Sequence, residues 1–246
     1  MRPDLIFLLV ALGLCFGSMA LFAFGYDKSS GDPLESKQRG TFVLGGFVRA
    51  WFLWFIGPAV SLALKARLSP LFFNITGAAF GIAAGVAFAL GMPVLGGWFV
   101  FLGGTADVFD GRVARTLGLA SPKGAFLDST LDRFAEVGVF GGLAIYFHTR
   151  PLMSLMVALA LGGSLLVSYT RARGESQGIT CKVGIMQRAE RLLLIGFAGL
   201  LDSAVADWIN QPPGTLLALV VTVIAIGTIG TAVYRTVWIS ARLPSS

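Results

Sequence analysis

Of the 246 residues, 55% are hydrophobic and only 13% are charged, where a soluble globular domain carries about 25%; with a mean hydropathy of +0.78, this excludes an ordinary water-soluble fold. The net charge of +6 lies in segments that flank apolar runs, as positive charge does beside membrane spans, and no nucleic-acid partner is expected. Two cysteines and a single histidine exclude a disulfide framework and leave no ligand set for zinc.

Apolar runs of about 20 residues, the length of helix that crosses a bilayer core, recur along the chain. They are continuous rather than alternating, which excludes membrane strands, so the expected fold is all-α and polytopic. The first run, 4–26, has a basic start and a small residue at Ala20, as a cleaved signal peptide would. Its apolar stretch continues through LFAFGY, which favours a permanent anchor. Residues 27–68 open polar (DKSSGDPLESKQRG) and continue as FVLGGFVRAWFLWFIGPAVSLALKARLSP. Arg49, Lys65 and Arg67 flank aromatic and aliphatic residues there, and Trp51 and Trp54 suit the headgroup layer. This reads as an amphipathic helix in the membrane surface, interrupted near Gly57-Pro58; an additional span is the alternative. Six further spans follow at 71–92, 94–114, 124–147, 151–171, 190–209 and 215–237. The expected organisation is an N-terminal membrane helix (1–26), a polar linker with a juxtamembrane helix (27–68) and a transmembrane domain (69–246).

Alternate connections differ in charge. Lys28, Lys37, Arg39, Arg49, Lys65 and Arg67, then Arg112, Arg115 and Lys123, then Arg171, Arg173, Lys182, Arg188 and Arg191, and finally Arg235 and Arg242 fall on one side. Opposite them Arg150 is isolated, and Asp202 and Asp207 have no basic neighbour. The positive-inside rule puts the basic side in the cytoplasm of a bacterial or archaeal cell.

On that side lies DVFDGRVARTLGLASPKGAFLDSTLD, residues 107–132. Asp107 and Asp110 are three apart and Asp128 and Asp132 four apart, so on helices each pair shares a face. RTLGLASPKG between them reads as a turn, which makes the two helices antiparallel neighbours with facing carboxylates. Converging acids at a membrane boundary require a cation or the protonation of some of them, and a divalent metal is the simpler resident. A hard oxygen set without His or Cys points to Mg²⁺, Mn²⁺ or Ca²⁺. Gly111 and Gly124 allow a phosphate group close to such an ion, and Arg115 offers a guanidinium to it.

The spacing Asp107-x2-Asp110-Gly111-x2-Ala114-Arg115-x8-Gly124-x3-Asp128-x3-Asp132 resembles the signature of the CDP-alcohol phosphotransferase family. The resemblance implies a bundle of six membrane helices, with 4–26 as an addition, that binds a CDP-linked lipid such as CDP-diacylglycerol with Mg²⁺ or Mn²⁺. It implies Asp107, Asp110, Asp128 and Asp132 as metal ligands, with Asp132 also the general base. Gly111, Ala114, Arg115, Ser121 and Gly124 become contacts of the CDP-lipid. In SPLFFNITG, Pro70, Asn74 and Thr76 resemble the family's Pro-Asn-x-x-Thr stretch at altered spacing, and their implied contact is also with the CDP-lipid. Relatives of this kind are commonly homodimers, and Gly13-xxx-Gly17, Gly81-xxx-Gly85 and Gly138-xxx-Gly142 are the available close-packing motifs.

The chemistry implied is attack of an alcohol on the β-phosphorus with expulsion of CMP. SYTRARGESQGITCKVGIMQRAERLLL carries the second basic cluster. Its Tyr-x-Arg-Ala-Arg and Arg-x-Glu-Arg segments resemble the branch of the family that makes phosphatidylinositol phosphate and its archaeal counterparts. That implies inositol 1-phosphate as acceptor, its phosphate held by Lys123, Arg171, Arg173 and Arg191. Glycerol 3-phosphate is the alternative acceptor. A cation or proton transporter is the alternative class, although its acids belong near the bilayer midplane rather than at one end.

Overall fold

The structure, a computed structural model, describes residues 3–25, 45–181 and 183–244. The polar stretch 27–44 and Lys182 lie outside them. The described residues form eight α-helices and no strand: α1 (Pro3–Gly25), α2 (Gly45–Lys65), α3 (Pro70–Ala89), α4 (Pro93–Thr116), α5 (Pro122–Tyr146), α6 (Pro151–Ser176), α7 (Arg188–Trp208) and α8 (Thr215–Ser240). The chain divides into two compact units, residues 1–67 and 68–246.

In the first unit, Trp51 Nε1 donates to the Ser18 hydroxyl at 3.2 Å, and Phe22 packs on Phe47 and Trp54. The break expected at Gly57-Pro58 is absent, because α2 continues through Pro58 to Lys65. Proline removes a single N–H from the ladder, whereas ending the helix there would leave four carbonyls without an intrahelical partner. Ser61 Oγ donates to the Gly57 carbonyl at 3.0 Å beside the proline.

The second unit holds the six remaining helices. Four of them, α3 to α6, begin with proline at the first helical turn, where its fixed φ suits the helix and its missing N–H costs nothing. Ser69 and Ser121 cap α3 and α5, accepting from the N–H of Phe72 at 3.2 Å and of Gly124 at 3.1 Å. The helices pack in a closed ring in the order α3, α4, α7, α8, α6, α5 and back to α3. Its interior is filled by Phe88, Phe140, Leu143, Phe147, Ile195, Leu217, Val221 and Ile224. At one end the buried Asp202 of α7 accepts from the N–H of Gly214 at 2.6 Å and of Leu217 at 3.1 Å, capping α8 from its neighbour.

The ring order corrects one expectation. The two aspartate helices, α4 and α5, are not partners along their length; α3 packs extensively on both. Small residues allow this. A side chain at Gly81 or Gly85 would collide with Ala135 or the Gly138 carbonyl of α5, and one at Gly77 would touch Gly103 of α4 at 3.4 Å. With so thin a helix between them, α4 and α5 still bring carboxylates to one place.

This is a membrane protein. α3, α6 and α8 are long and apolar enough to cross a bilayer, and Leu155, Leu159, Leu166, Leu219, Ile226, Val233 and Val237 of the last two face outward.

Candidate active site

Four helices supply the site. Asp107 and Asp110 lie toward the end of α4, Asp128 and Asp132 near the start of α5, Asn74 on α3 and Arg188 at the first position of α7. The short connection 117–121, with Gly118 at φ +66°, reverses the chain and returns the second aspartate pair to the level of the first.

One carboxylate oxygen from each of Asp107, Asp110 and Asp128 lies within 4.8 Å of the other two. Asp110 is buried. The Asn74 amide, oriented with its NH₂ toward the acids, donates to Asp110 and, at 3.3 Å, to Asp128 Oδ1. Three carboxylates with an amide behind them, and no nitrogen or sulfur ligand, form an oxygen donor set that could hold a metal ion. Such a set fits a hard divalent cation. Asp132 stands outside this triad: its Oδ1 meets Arg188 Nη2 at 2.7 Å and its Oδ2 is 3.9 Å from Arg133 Nη2. Arg188 also reaches Asp107, Nη1 to Oδ1 at 2.7 Å, so one guanidinium bridges α4 and α5.

The neighbouring small and basic residues fall into place around the triad. A Cβ at Gly111 would stand 3.1 Å from Arg115 Nη1, so the guanidinium of Arg115 folds over bare backbone. Ala114 lies beside them, partly buried. Ser121 acts as the cap of α5, and a Cβ on Gly124 would sit 3.3 Å from its hydroxyl. Lys123 is exposed in the first turn of α5, where helix N–H groups already favour anions. Thr76 has its hydroxyl on the Phe72 carbonyl at 2.7 Å.

The residues of the second basic cluster differ in burial. Arg171 and Arg173 are exposed at the end of α6, Arg171 pairing with Glu175 at 2.9 Å. Arg191 is interior, only 1% exposed. Its Nε and Nη2 donate to Glu136 Oε1, and its Nη1 donates to the Met186 carbonyl at 2.9 Å. Glu136, 2% exposed, also accepts from Arg133 Nη1 at 2.7 Å on its other oxygen, and Arg133 bonds the Ser168 hydroxyl of α6. The Glu136 carboxylate thus pairs with Arg133 of its own helix and with Arg191 of α7. Arg188 bridges two of the aspartates, a role that sequence alone could not separate from ordinary flanking charge. The available signal was its position one turn before Arg191 on the same helix face.

Comparisons with known proteins agree with this architecture. The sequence model of the CDP-alcohol phosphatidyltransferase family matches residues 68–233. A phosphatidylinositol phosphate synthase of Streptomyces avermitilis is 35% identical over 225 residues, covering 84% of this chain and 89% of that protein. An archaetidylinositol phosphate synthase of Methanothermobacter thermautotrophicus is 34% identical over 189 residues, covering 77% and 90%. The crystal structure of Mycobacterium tuberculosis phosphatidylinositol phosphate synthase with CDP-DAG bound aligns with a TM-score of 0.65 at 27% identity, covering 74% of this chain and 92% of that one. The same enzyme in complex with manganese and citrate aligns at 0.66 and 26% identity, covering 74% and 88%.

Proposed function

The chain belongs to the CDP-alcohol phosphatidyltransferase family, and from that premise we propose that it transfers the phosphatidyl group of CDP-diacylglycerol to inositol 1-phosphate, releasing CMP. The observation that carries this reading is the meeting of Asp107, Asp110 and Asp128 within 4.8 Å, with a fourth acid, Asp132, held apart by arginine. The names of the two relatives above support the acceptor.

Phosphoryl transfer depends on positioning and charge neutralisation more than on covalent chemistry. Asp107, Asp110 and Asp128 would hold a divalent ion, Mg²⁺ or Mn²⁺, which when bound neutralises pyrophosphate charge and eases departure of CMP. Asn74 keeps two of these carboxylates aimed inward. Arg115 over Gly111, with Ala114 and Gly124 leaving space, receives the donor's phosphates, and the Ser121 cap presents the positive end of α5 to them. Asn74 and Thr76 border the donor on the α3 side.

The acceptor hydroxyl gives its proton to Asp132, its oxygen bonds to the β-phosphorus, and the bond to CMP breaks. Arg188 on one oxygen and Arg133 near the other fix the plane of that carboxylate, so that it need not reorient to act as base. The acceptor's phosphate takes the exposed charges of Lys123, Arg171 and Arg173. Arg191 serves this pocket from beneath, by anchoring the start of α7 on Glu136. The reading places α1 and α3 to α8 across the bilayer with the aspartates facing the cytoplasm, and the association as a homodimer.

The test is CMP release from CDP-diacylglycerol in vesicles with each acceptor supplied alone. Release that depends on inositol 1-phosphate is the expected result. Release with glycerol 3-phosphate instead moves the assignment to phosphatidylglycerophosphate synthesis, and release with neither overturns both.

A further inference from the structure

The reaction above uses the contact of Arg188 with Asp132 but not its contact with Asp107. Its guanidinium spans Asp107 and Asp132 at 2.7 Å each. Asp107 is at the same time one of the three acids that converge as a candidate metal group. An entering divalent ion therefore draws on a carboxylate that a resident cation already holds. The guanidinium is also incompletely satisfied, since Arg188 Nε is buried without a hydrogen-bond partner. A planar fork with an unspent N–H matches a phosphate monoester.

The surroundings confine any response to this one side chain. One turn along α7, Arg191 is fixed by Glu136 and by the Met186 carbonyl, so the helix start does not shift. Glu136 is occupied by Arg191 and Arg133 and cannot serve as an alternative partner for Arg188. The acids facing it are Asp107 and Asp132; Asp110 and Asp128 complete the cluster. When the charge of an ion falls on Asp107, the hold on Arg188 weakens, and the anion able to complete its pairing is the acceptor's phosphate.

We propose that Arg188 is a counter-cation exchanged between the carboxylate cluster and the acceptor: the metal takes Asp107 from it, and the N–H groups then left without a carboxylate bind the acceptor's phosphate. This rests on the metal and acceptor readings of the preceding section. It makes metal and acceptor binding positively coupled, and by linkage each tightens the other by the same factor.

The experiment is a titration of the purified, detergent-solubilised protein with Mn²⁺, reading free Mn²⁺ by electron paramagnetic resonance, so that turnover plays no part. Inositol 1-phosphate should tighten Mn²⁺ binding by about fivefold or more, within the usual range of allosteric coupling, and unphosphorylated inositol should leave it unchanged. Arg188→Gln should bind Mn²⁺ roughly tenfold more tightly than the parent when no acceptor is present, because the competing cation is gone, and should lose the phosphate effect. Arg188→Lys keeps the charge without the fork, should reduce the coupling, and decides the matter if the glutamine variant does not fold. Coupling of full size in both variants, or Mn²⁺ binding indifferent to inositol 1-phosphate in the parent, overturns the exchange while leaving the metal site intact. A parent protein that takes up no Mn²⁺ overturns the exchange and the metal reading together.

Discussion

Asp132 has one oxygen on Arg188 and the other facing Arg133, and it lies outside the group of three acids that converge. Asp132→Asn keeps the shape and removes the proton acceptor; kcat should fall by about 10²–10⁴-fold, the usual worth of a general base, while binding of CDP-diacylglycerol stays within twofold of the parent. Equal loss of both would count against the base. Asn74 acts one layer behind the triad. Asn74→Ala should weaken Mn²⁺ binding by about 10–100-fold, as loss of a partner that orients ligands does, measured by the same resonance titration; unchanged affinity would deprive Asn74 of that part. The Glu136–Arg191 pair is buried on both sides, and cutting one partner strands the other charge. Glu136→Ala should cost about 3–5 kcal/mol in unfolding experiments, and Glu136→Leu with Arg191→Met should recover most of it. At this scale the convergence of the aspartates was legible, because carboxylates three and four positions apart share a helix face. The arginine partners were not, because Arg188 meets Asp107 across 81 positions and Arg191 meets Glu136 across 55, and helical periodicity says nothing about contacts between distant segments.

Among elements, α3 decides the geometry. Gly81 and Gly85 let it approach α5 so closely that a Cβ would strike Ala135 or the Gly138 backbone. Gly85→Leu should therefore destabilise the protein by at least about 3 kcal/mol, the upper end of overpacking costs, and abolish CMP release by parting the two aspartate helices. Gly162→Ala on α6, where a Cβ meets nothing within 4 Å, serves as the control and should be neutral or slightly stabilising; equal loss in both variants would refute the spacer role. The glycine motifs were visible as possible packing faces, and the structure engages Gly81, Gly85, Gly138 and Gly142 inside one chain. Helix bounds were largely legible from apolar run length. The unbroken α2 was not, since the proline rule counts the one lost N–H and not the four carbonyls that a helix end would free.

Over the whole molecule, the ring of six helices sets an apolar exterior against a site where charge collects at one end. The acids from α4 and α5 can occupy that site together only if something neutralises them, and Arg188 meets just two of the four. The proposed reaction therefore depends on a divalent ion that Asp107, Asp110 and Asp128 would hold. The direct measurement is CMP release by the purified protein in CDP-diacylglycerol vesicles after exhaustive chelation, then after addition of Mg²⁺ or Mn²⁺, in the parent and in Asp110→Asn. Release should vanish on chelation, return with the metal in the parent and fail to return in the variant. Full activity in the chelated protein would contradict the account.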